Sequence, residues 1–155
     1  MSRPSSDYCA LHPIPAVRAI ISDTQGRVLL LRRANTAFGD GAWCLPGGKV
    51  DCGQSAEEAL AVELAEELSV RLERAAYLYS QDSPPDRTDG PHFLNLYFLC
   101  RVSGTIQLNE ESSAQAWAGP AELAAYAVVF GHDEAIRRYF AEHAQPSGLN
   151  SSNLV

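Results

Sequence analysis

Residues 47–70 have the sequence GGKVDCGQSAEEALAVELAEELSV, and this stretch decides the fold. It predicts a helix over 55–68, because Ser55 can cap the first turn and Glu58, three residues later, completes a capping box. Leucines recur along that helix at the spacing of one face and form an apolar stripe for the core: Leu60, Leu64 and Leu68. The same spacing brings together a second group of side chains, which is acidic: Glu63, Glu66 and Glu67.

The acidic group carries an electrostatic cost. Like charges four residues apart destabilise a helix by about 0.2–0.5 kcal/mol per pair. A divalent cation between the carboxylates removes that cost, and hard ions such as Mg²⁺ prefer oxygen ligands and are shared with substrate phosphates. A solvated acidic face is the alternative, and residues 63–67 taken alone do not exclude it.

Gly47 and Gly48 lie between Pro46 and the helix. Without a Cβ the backbone can turn tightly and approach a ligand closely, and Pro46 restricts the entry into the turn. A glycine loop before a capped helix brings main-chain groups near the glutamates. A plain turn is the alternative for Pro-Gly-Gly taken alone.

Outside this stretch the chain alternates between strand and helix patterns. Apolar alternation and turn residues predict the following strands: 14–23, 27–33, 75–81, 92–102 and a short one near 115–117. Residues 23–26 (DTQG) are expected to make a hairpin of the first two strands, and polar loops are expected at 35–42 and 83–91. A helical turn at 120–125 and an amphipathic helix at 133–143 follow. Strands mixed with two separated helices indicate the α/β class, and we predict an α/β/α sandwich around a mixed central sheet.

Length and composition limit the class of protein. The 155 residues fit one domain over 1–155, with loose termini at 1–12 and 145–155. The formal charge of −7 argues against general binding to nucleic acid or anionic membranes. Because no apolar run is long enough to span a membrane and the first ten residues lack a signal-peptide core, we expect a cytoplasmic protein.

The cysteines and histidines predict no metal site of their own. The four cysteines have no CxxC spacing, so reduced thiols are expected, with Cys100 buried in a strand. The four histidines lack ligand spacing and are expected on the surface or in loops: His12, His92, His132 and His143. Asp133 is favoured near the start of the last helix.

The spacing of the central stretch resembles a known family. Gly48, five residues, Gln54, seven residues and then VELAEELSV (62–70) are similar to the Nudix box, GX5EX7REUXEEXGU, where U is a bulky aliphatic residue. Upstream, RRA (32–34), Trp43 and LPGG (45–48) have the register of MutT-type enzymes. The resemblance covers residues 14–70 and implies a Nudix-type fold and a pyrophosphohydrolase activity.

Three positions depart from the family pattern. Gln54 stands in place of Glu, Val62 in place of Arg and Ser69 in place of Gly. In the family the Glu and Arg resemble an ion pair that ties the loop to the helix. Losing both partners is milder than losing one, because no buried charge is left alone; Gln54 can hydrogen-bond as a neutral amide and Val62 can pack apolarly. Ser69 must end the helix without the ease of glycine at positive φ.

The resemblance also implies roles for individual residues. Glu63, Glu66, Glu67 and the Gly47 carbonyl would hold one to three Mg²⁺ or Mn²⁺ ions, with Glu66 and Glu67 as principal ligands and Glu63 also orienting the attacking water. Substrate binding would involve Gly48 and Arg33, whose guanidinium suits phosphates. Glu111, with its neighbour Glu110, is a candidate general base, although a surface acid is the alternative.

The substrate class stays open among several nucleotides. The RRA segment and the compact length favour a nucleoside triphosphate, cleaved to a monophosphate and pyrophosphate; ADP-ribose or a nucleotide sugar is the alternative. Aromatic residues could stack a base, although sheet core is the more ordinary place for most of them: Tyr77, Tyr79, Phe93, Tyr97 and Phe98. A catalytically weak nucleotide-sensing domain and an unrelated α/β domain with an acidic helix are rival interpretations. A homodimer is one expectation for the oligomeric state.

Overall fold

The computed structural model describes residues 12–85 and 91–143. The described residues form seven strands and two helices, one of which is the helix predicted at residues 55–68. They are β1 (Ile14–Ile21), β2 (Val28–Arg33), β3 (Trp43–Cys44), β4 (Gly47–Lys49), α1 (Ala56–Leu68), β5 (Arg71–Ser83), β6 (Phe93–Ser103), β7 (Ser112–Ala118) and α2 (His132–His143), with a 3₁₀ turn at Leu123–Ala125 before α2. The predicted loose termini lie outside the described residues, apart from His12.

Two sheets and two helices form the layers. A four-stranded mixed sheet has the order β4-β1-β6-β5, in which β1 and β6 run parallel. A three-stranded antiparallel sheet has the order β3-β2-β7. The predicted α/β fold with a mixed sheet is confirmed, with the second sheet as an addition.

The predicted hairpin of the first two strands is wrong. The DTQG turn forms as expected, with the Asp23 carboxylate accepting from the amides of Gln25 and Arg27. Beyond a single bridge between Ser22 and Val28, however, β1 and β2 pair with strands of different sheets. Both strands are buried on both faces, so each needs partners and covering layers that a two-stranded hairpin does not supply.

Helix α1 follows the sequence prediction closely. Ser55 is the N-cap, and both halves of the capping box with Glu58 are present. The leucine stripe is completely buried: Leu60, Leu64 and Leu68. At the other end Ser69 adopts φ 57° and ψ 30°, so the expected left-handed C-cap without glycine is confirmed.

The two helices cover separate parts of the core. One cluster joins α1 to β1, β2 and β6, and it includes Cys100, which is buried as predicted. The other joins α2 to β1, β2 and β6 through Ile20, Leu30, Tyr97 and Ile136. Within the described residues, no helix is long and apolar enough to cross a membrane.

Candidate active site

The Pro-Gly-Gly bend lies between β1 and α1 with no room for side chains. Strand β4 pairs with β1 so that Gly47 lies opposite Arg18. A Cβ built on Gly47 would lie 1.9 Å from the Val17 carbonyl oxygen, and one on Gly48 would lie 2.3 Å from the Glu63 carboxyl carbon. The glycines are therefore required because backbone fills one side of the bend and a glutamate fills the other.

Two side chains from different helices hold the bend by its amides. The Leu45 amide donates to Nδ1 of His132 at 3.1 Å, and the Gly47 amide donates to Oε2 of Glu67 at 3.0 Å. Pro46 between them has no N–H to satisfy. The bend is thus fixed to α2 through His132 and to α1 through Glu67.

The prediction that His132 is a surface or loop residue is wrong. It begins α2, one residue before the predicted start at 133, and its side chain is completely buried. Its acceptor nitrogen satisfies a buried main-chain donor, and burial beside the charges of Arg18 and Arg33 holds the pKa of His132 well below its usual value. A neutral imidazole is the form that can accept the Leu45 hydrogen bond.

A cavity of about 260 Å³ opens in front of the bend. We refer to it as the glutamate cavity; its lining includes the two glycines and most of the predicted site residues: Arg33, Gly47, Gly48, Glu63, Glu67 and Glu111. Glu66 does not line it and is exposed on α1. Glu110 is also outside the lining, although its carbonyl accepts from the Asn35 side chain.

The two cavity glutamates of α1 hold protons more strongly than usual. Burial, followed by the nearby charges of Glu66 and Glu111, raises the pKa of Glu63 from 4.5 to about 7. Burial raises the pKa of Glu67 from 4.5 to about 8; Glu63 adds to the rise, and the Gly47 amide opposes it. Neither side chain has enough positive charge nearby to ionise at the pH at which an exposed glutamate does.

These residues fit a hard divalent cation that shares its ligands with a substrate. Within residues 12–85 and 91–143, no three His, Cys, Asp or Glu side chains form a group that could hold a metal unaided. The cavity nevertheless presents only oxygen donors on α1, Glu63 and Glu67, with Glu111 nearby, and oxygen is the ligand that Mg²⁺ and Mn²⁺ prefer. A bound dication would also supply the positive charge that the raised pKa values call for.

Arg33 enters the cavity from the end of β2. Its Nε donates to the Phe38 carbonyl at 3.0 Å, and its guanidinium lies 4.7 Å from the centre of the Phe130 ring. Its Nη1 is 3.8 Å from the Cys44 sulfur. These contacts fix the position of the positively charged Arg33 guanidinium at the wall of the cavity that also contains the glutamates.

Arg18 lines the same cavity, and sequence reasoning missed it. It is 7% exposed, and its Nε donates to Oδ1 of Asn95 at 3.0 Å. The available signal was a charge in the middle of the otherwise apolar strand IPAVRAII. A charged residue at such a position is rare without a partner or a function.

The structure shows how Gln54 and Val62, which depart from the Nudix box pattern, are accommodated. Gln54 accepts from the Asp51 amide at 2.9 Å, so its expected hydrogen bonding as a neutral amide is confirmed. Val62 is 43% exposed, and the expectation that it packs apolarly is wrong, because the buried face of α1 is already occupied by the leucine stripe. The carboxylates are thus positioned without an ion pair between these two positions.

A second cavity of about 330 Å³, the aromatic cavity, adjoins the first. The two share lining residues from three segments of the chain: Phe38, Pro91, Phe93 and Phe130. Of the aromatic residues considered for base stacking, Phe93 lines both cavities, whereas Tyr79, Tyr97 and Phe98 are buried in the sheet core. Pro84 and Pro85 also line the aromatic cavity.

Comparison with known proteins places this geometry in a family. A family model described as the NUDIX domain matches residues 12–139. Members of this family generally use a divalent metal ion. The family match covers the seven strands, helix α1, most of α2 and the residues that line the glutamate cavity.

Similar proteins carry names of pyrophosphate-cleaving enzymes. The chain is 37% identical over 94 residues to a Methanocaldococcus jannaschii protein named ADP-ribose pyrophosphatase, a match that covers 61% of this chain and 54% of that protein. It is 31% identical over 113 residues to an Escherichia coli protein named CTP pyrophosphohydrolase, covering 73% of this chain and 81% of that protein. The crystal structure of a MutT NUDIX hydrolase from Burkholderia pseudomallei superposes with a TM-score of 0.63 at 34% identity, over 69% of this chain and 83% of that one.

Proposed function

This chain belongs to the Nudix family of pyrophosphohydrolases, and from that premise we propose that it hydrolyses a nucleoside triphosphate to a monophosphate and pyrophosphate with Mg²⁺ or Mn²⁺. The observation that carries the proposal is the pair Glu63 and Glu67. Both face a cavity floored by Gly47 and Gly48, and both have pKa values raised to about 7 and about 8. Such carboxylates are suited to a cation that arrives with a polyphosphate.

The residues predicted from the sequence each have a proposed task at this site. A bound dication supplies charge neutralisation of the diphosphate and a lower pKa for a coordinated water. Glu63, Glu66 and Glu67 would hold the ions together with the Gly47 carbonyl, and Glu66 is the member of this group that is exposed and does not line the cavity.

The remaining tasks concern the substrate and the attacking water. Gly48 leaves room for the diphosphate and for the Glu63 carboxyl, and Arg33 contacts phosphate oxygens. Glu111 accepts a proton from the water whose oxygen bonds to phosphorus as the anhydride P–O bond breaks.

The aromatic cavity supports a nucleoside as the rest of the substrate. Phe38 is 47% exposed beside Phe93 and Phe130, and a base stacked on such rings would leave its phosphates directed into the adjoining glutamate cavity. The relative named CTP pyrophosphohydrolase, aligned over most of both chains, supports a triphosphate substrate.

ADP-ribose, or a nucleotide sugar, is the second candidate substrate. It is favoured by the 37% identity to the protein named ADP-ribose pyrophosphatase, over about half of that protein's length. The diphosphate would occupy the same place, and the second sugar would need space beyond the glutamate cavity.

A hydrolysis screen tests the proposal. The purified protein is assayed with Mg²⁺ and with Mn²⁺ on nucleoside and deoxynucleoside triphosphates, ADP-ribose, nucleotide sugars and dinucleoside polyphosphates. We expect turnover of triphosphates with pyrophosphate as a product, nearly complete loss in Glu67→Gln, and normal rates in Glu57→Gln, an exposed glutamate on the same helix. Turnover of ADP-ribose alone would select the second candidate, and binding without turnover of any compound would indicate a catalytically weak nucleotide-binding domain.

A further inference from the structure

Arg18 is buried at the wall of the glutamate cavity and forms no ion pair with the residues that the structure describes. It is the charged residue of strand β1 and is 7% exposed. Within the described residues its side chain makes one hydrogen bond, to Asn95, and none of the ion pairs involves it. Burying a guanidinium without a carboxylate partner is costly, so the position requires an explanation.

The surroundings of Arg18 fix the direction of its guanidinium. Asn95 is completely buried and accepts from Nε, while its own Nδ2 has no partner. The ring of Phe93 lies 5.5 Å from the guanidinium carbon. Because Nε is occupied, the two terminal nitrogens are the donors left for the cavity that Arg18 lines.

We propose that Arg18 binds a phosphoryl group of the substrate diphosphate through these terminal nitrogens, with Asn95 as its positioning residue. The proposal rests on the proposed function, which places a diphosphate in this cavity. A guanidinium presents parallel N–H donors that match two oxygens of one phosphoryl group. Arg18 extends from the four-stranded sheet and Arg33 from the three-stranded sheet, so each of the two phosphoryl groups has a cation from a different strand.

A purely structural role as counter-ion of the glutamates is the competing explanation. The Arg18 charge does lower the pKa of both Glu63 and Glu67. It forms no ion pair with either, however, and Oε2 of Glu67 is bonded to the Gly47 amide. The two explanations differ in what removal of Arg18 does to metal affinity and to anion affinity.

Calorimetric titration with two separate probes distinguishes them. Inorganic pyrophosphate is titrated in saturating Mn²⁺, and Mn²⁺ is titrated alone, into wild type, Arg18→Met and Asn95→Asp. Asn95→Asp keeps the arginine but pairs it with a buried carboxylate, which neutralises its charge. Arg32→Met is the matched control, because Arg32 lies beside Arg33 at the end of β2, is exposed and does not line the cavity.

We expect pyrophosphate affinity to fall roughly 10- to 100-fold in Arg18→Met and to fall also in Asn95→Asp, as for loss of a charged hydrogen bond. Mn²⁺ affinity should stay the same or rise, because a repelling positive charge is removed or neutralised. Arg32→Met should match wild type in both titrations. Urea unfolding checks that each variant is folded, and if Arg18→Met is not, Asn95→Asp carries the test.

Pyrophosphate affinity within about twofold of wild type in the folded variants would overturn the proposal. So would a drop in Mn²⁺ affinity that accounts for the whole loss of pyrophosphate binding. Failure of the proposed function gives a different result: no compound of the hydrolysis screen is turned over, while pyrophosphate binding still depends on Arg18.

Discussion

Replacing Glu67 by Gln should change the pH dependence of stability in the metal-free protein. Folding raises the pKa of this carboxyl from 4.5 to about 8, mainly through burial. Between these two pH values the unfolded chain releases the proton and the folded chain keeps it. The free energy of unfolding therefore falls as the pH rises through this window and is highest below pH 4.5 as far as Glu67 is concerned.

The size of the effect follows from the shift. A change from 4.5 to about 8, at about 1.4 kcal/mol per pKa unit, corresponds to an upper value of about 5 kcal/mol. Because the carboxyl borders an open cavity that water can enter, we expect roughly 2 kcal/mol in practice. Glutamine has no proton to lose and can still accept the Gly47 hydrogen bond through Oε1.

Urea unfolding in EDTA at pH 5, 6.5 and 8.5 measures the effect. Wild type should lose stability from pH 5 to 8.5 by roughly 2 kcal/mol more than Glu67→Gln. Glu63 remains in both proteins, so the difference reports Glu67 together with its electrostatic interaction with Glu63. The control variant Glu57→Gln, on the exposed side of the same helix, should follow the wild-type curve.

Adding a metal ion to the same unfolding experiment tests whether Glu67 binds the cation. Adding Mn²⁺ at pH 8 should stabilise wild type by mass action, because the ion binds the folded state. Glu67→Gln should gain much less. The reasoning is refuted if the free energy of unfolding in EDTA changes with pH equally in wild type and Glu67→Gln. Burial of the Glu67 carboxyl would then not raise its pKa.

Three further substitutions test single contacts. Gly48→Ala places a methyl group 2.3 Å from the Glu63 carboxyl carbon and should lower both Mn²⁺ affinity and turnover by about tenfold or more; normal kinetics would contradict the packing. His132→Leu leaves the Leu45 amide without an acceptor and should lower the free energy of unfolding by about 1–3 kcal/mol, measured in urea; an unchanged midpoint would mean that the hydrogen bond is unimportant. Ser69→Gly relieves the left-handed conformation at φ 57° and should raise thermal stability by about 1 kcal/mol, whereas a loss would argue against this C-cap.

Local patterns were enough for helix α1 and the bend before it. The capping box at Ser55, the buried leucine stripe and the left-handed Ser69 are all set by residues within a few positions of each other. The spacing of the glycines and glutamates over residues 48–70 indicated the family for the same reason, since it lies in one continuous segment. Interactions over such short separations leave a periodic signal that can be recognised in the chain.

Contacts between distant segments could be decided only in the folded molecule. Whether β2 pairs with β1 or with β7 depends on which strands are available to cover its two buried faces. The Leu45 amide meets His132 across 87 positions, and Arg18 meets Asn95 across 77. Nothing in the residues next to His132 or Arg18 specifies those partners, because a buried polar group is satisfied by whichever donor or acceptor packing brings to it. Periodicity placed the glutamates on one helix, but it was the packing of α1 against β1 and β4 that turned Glu63 and Glu67 into the cavity and left Glu66 exposed.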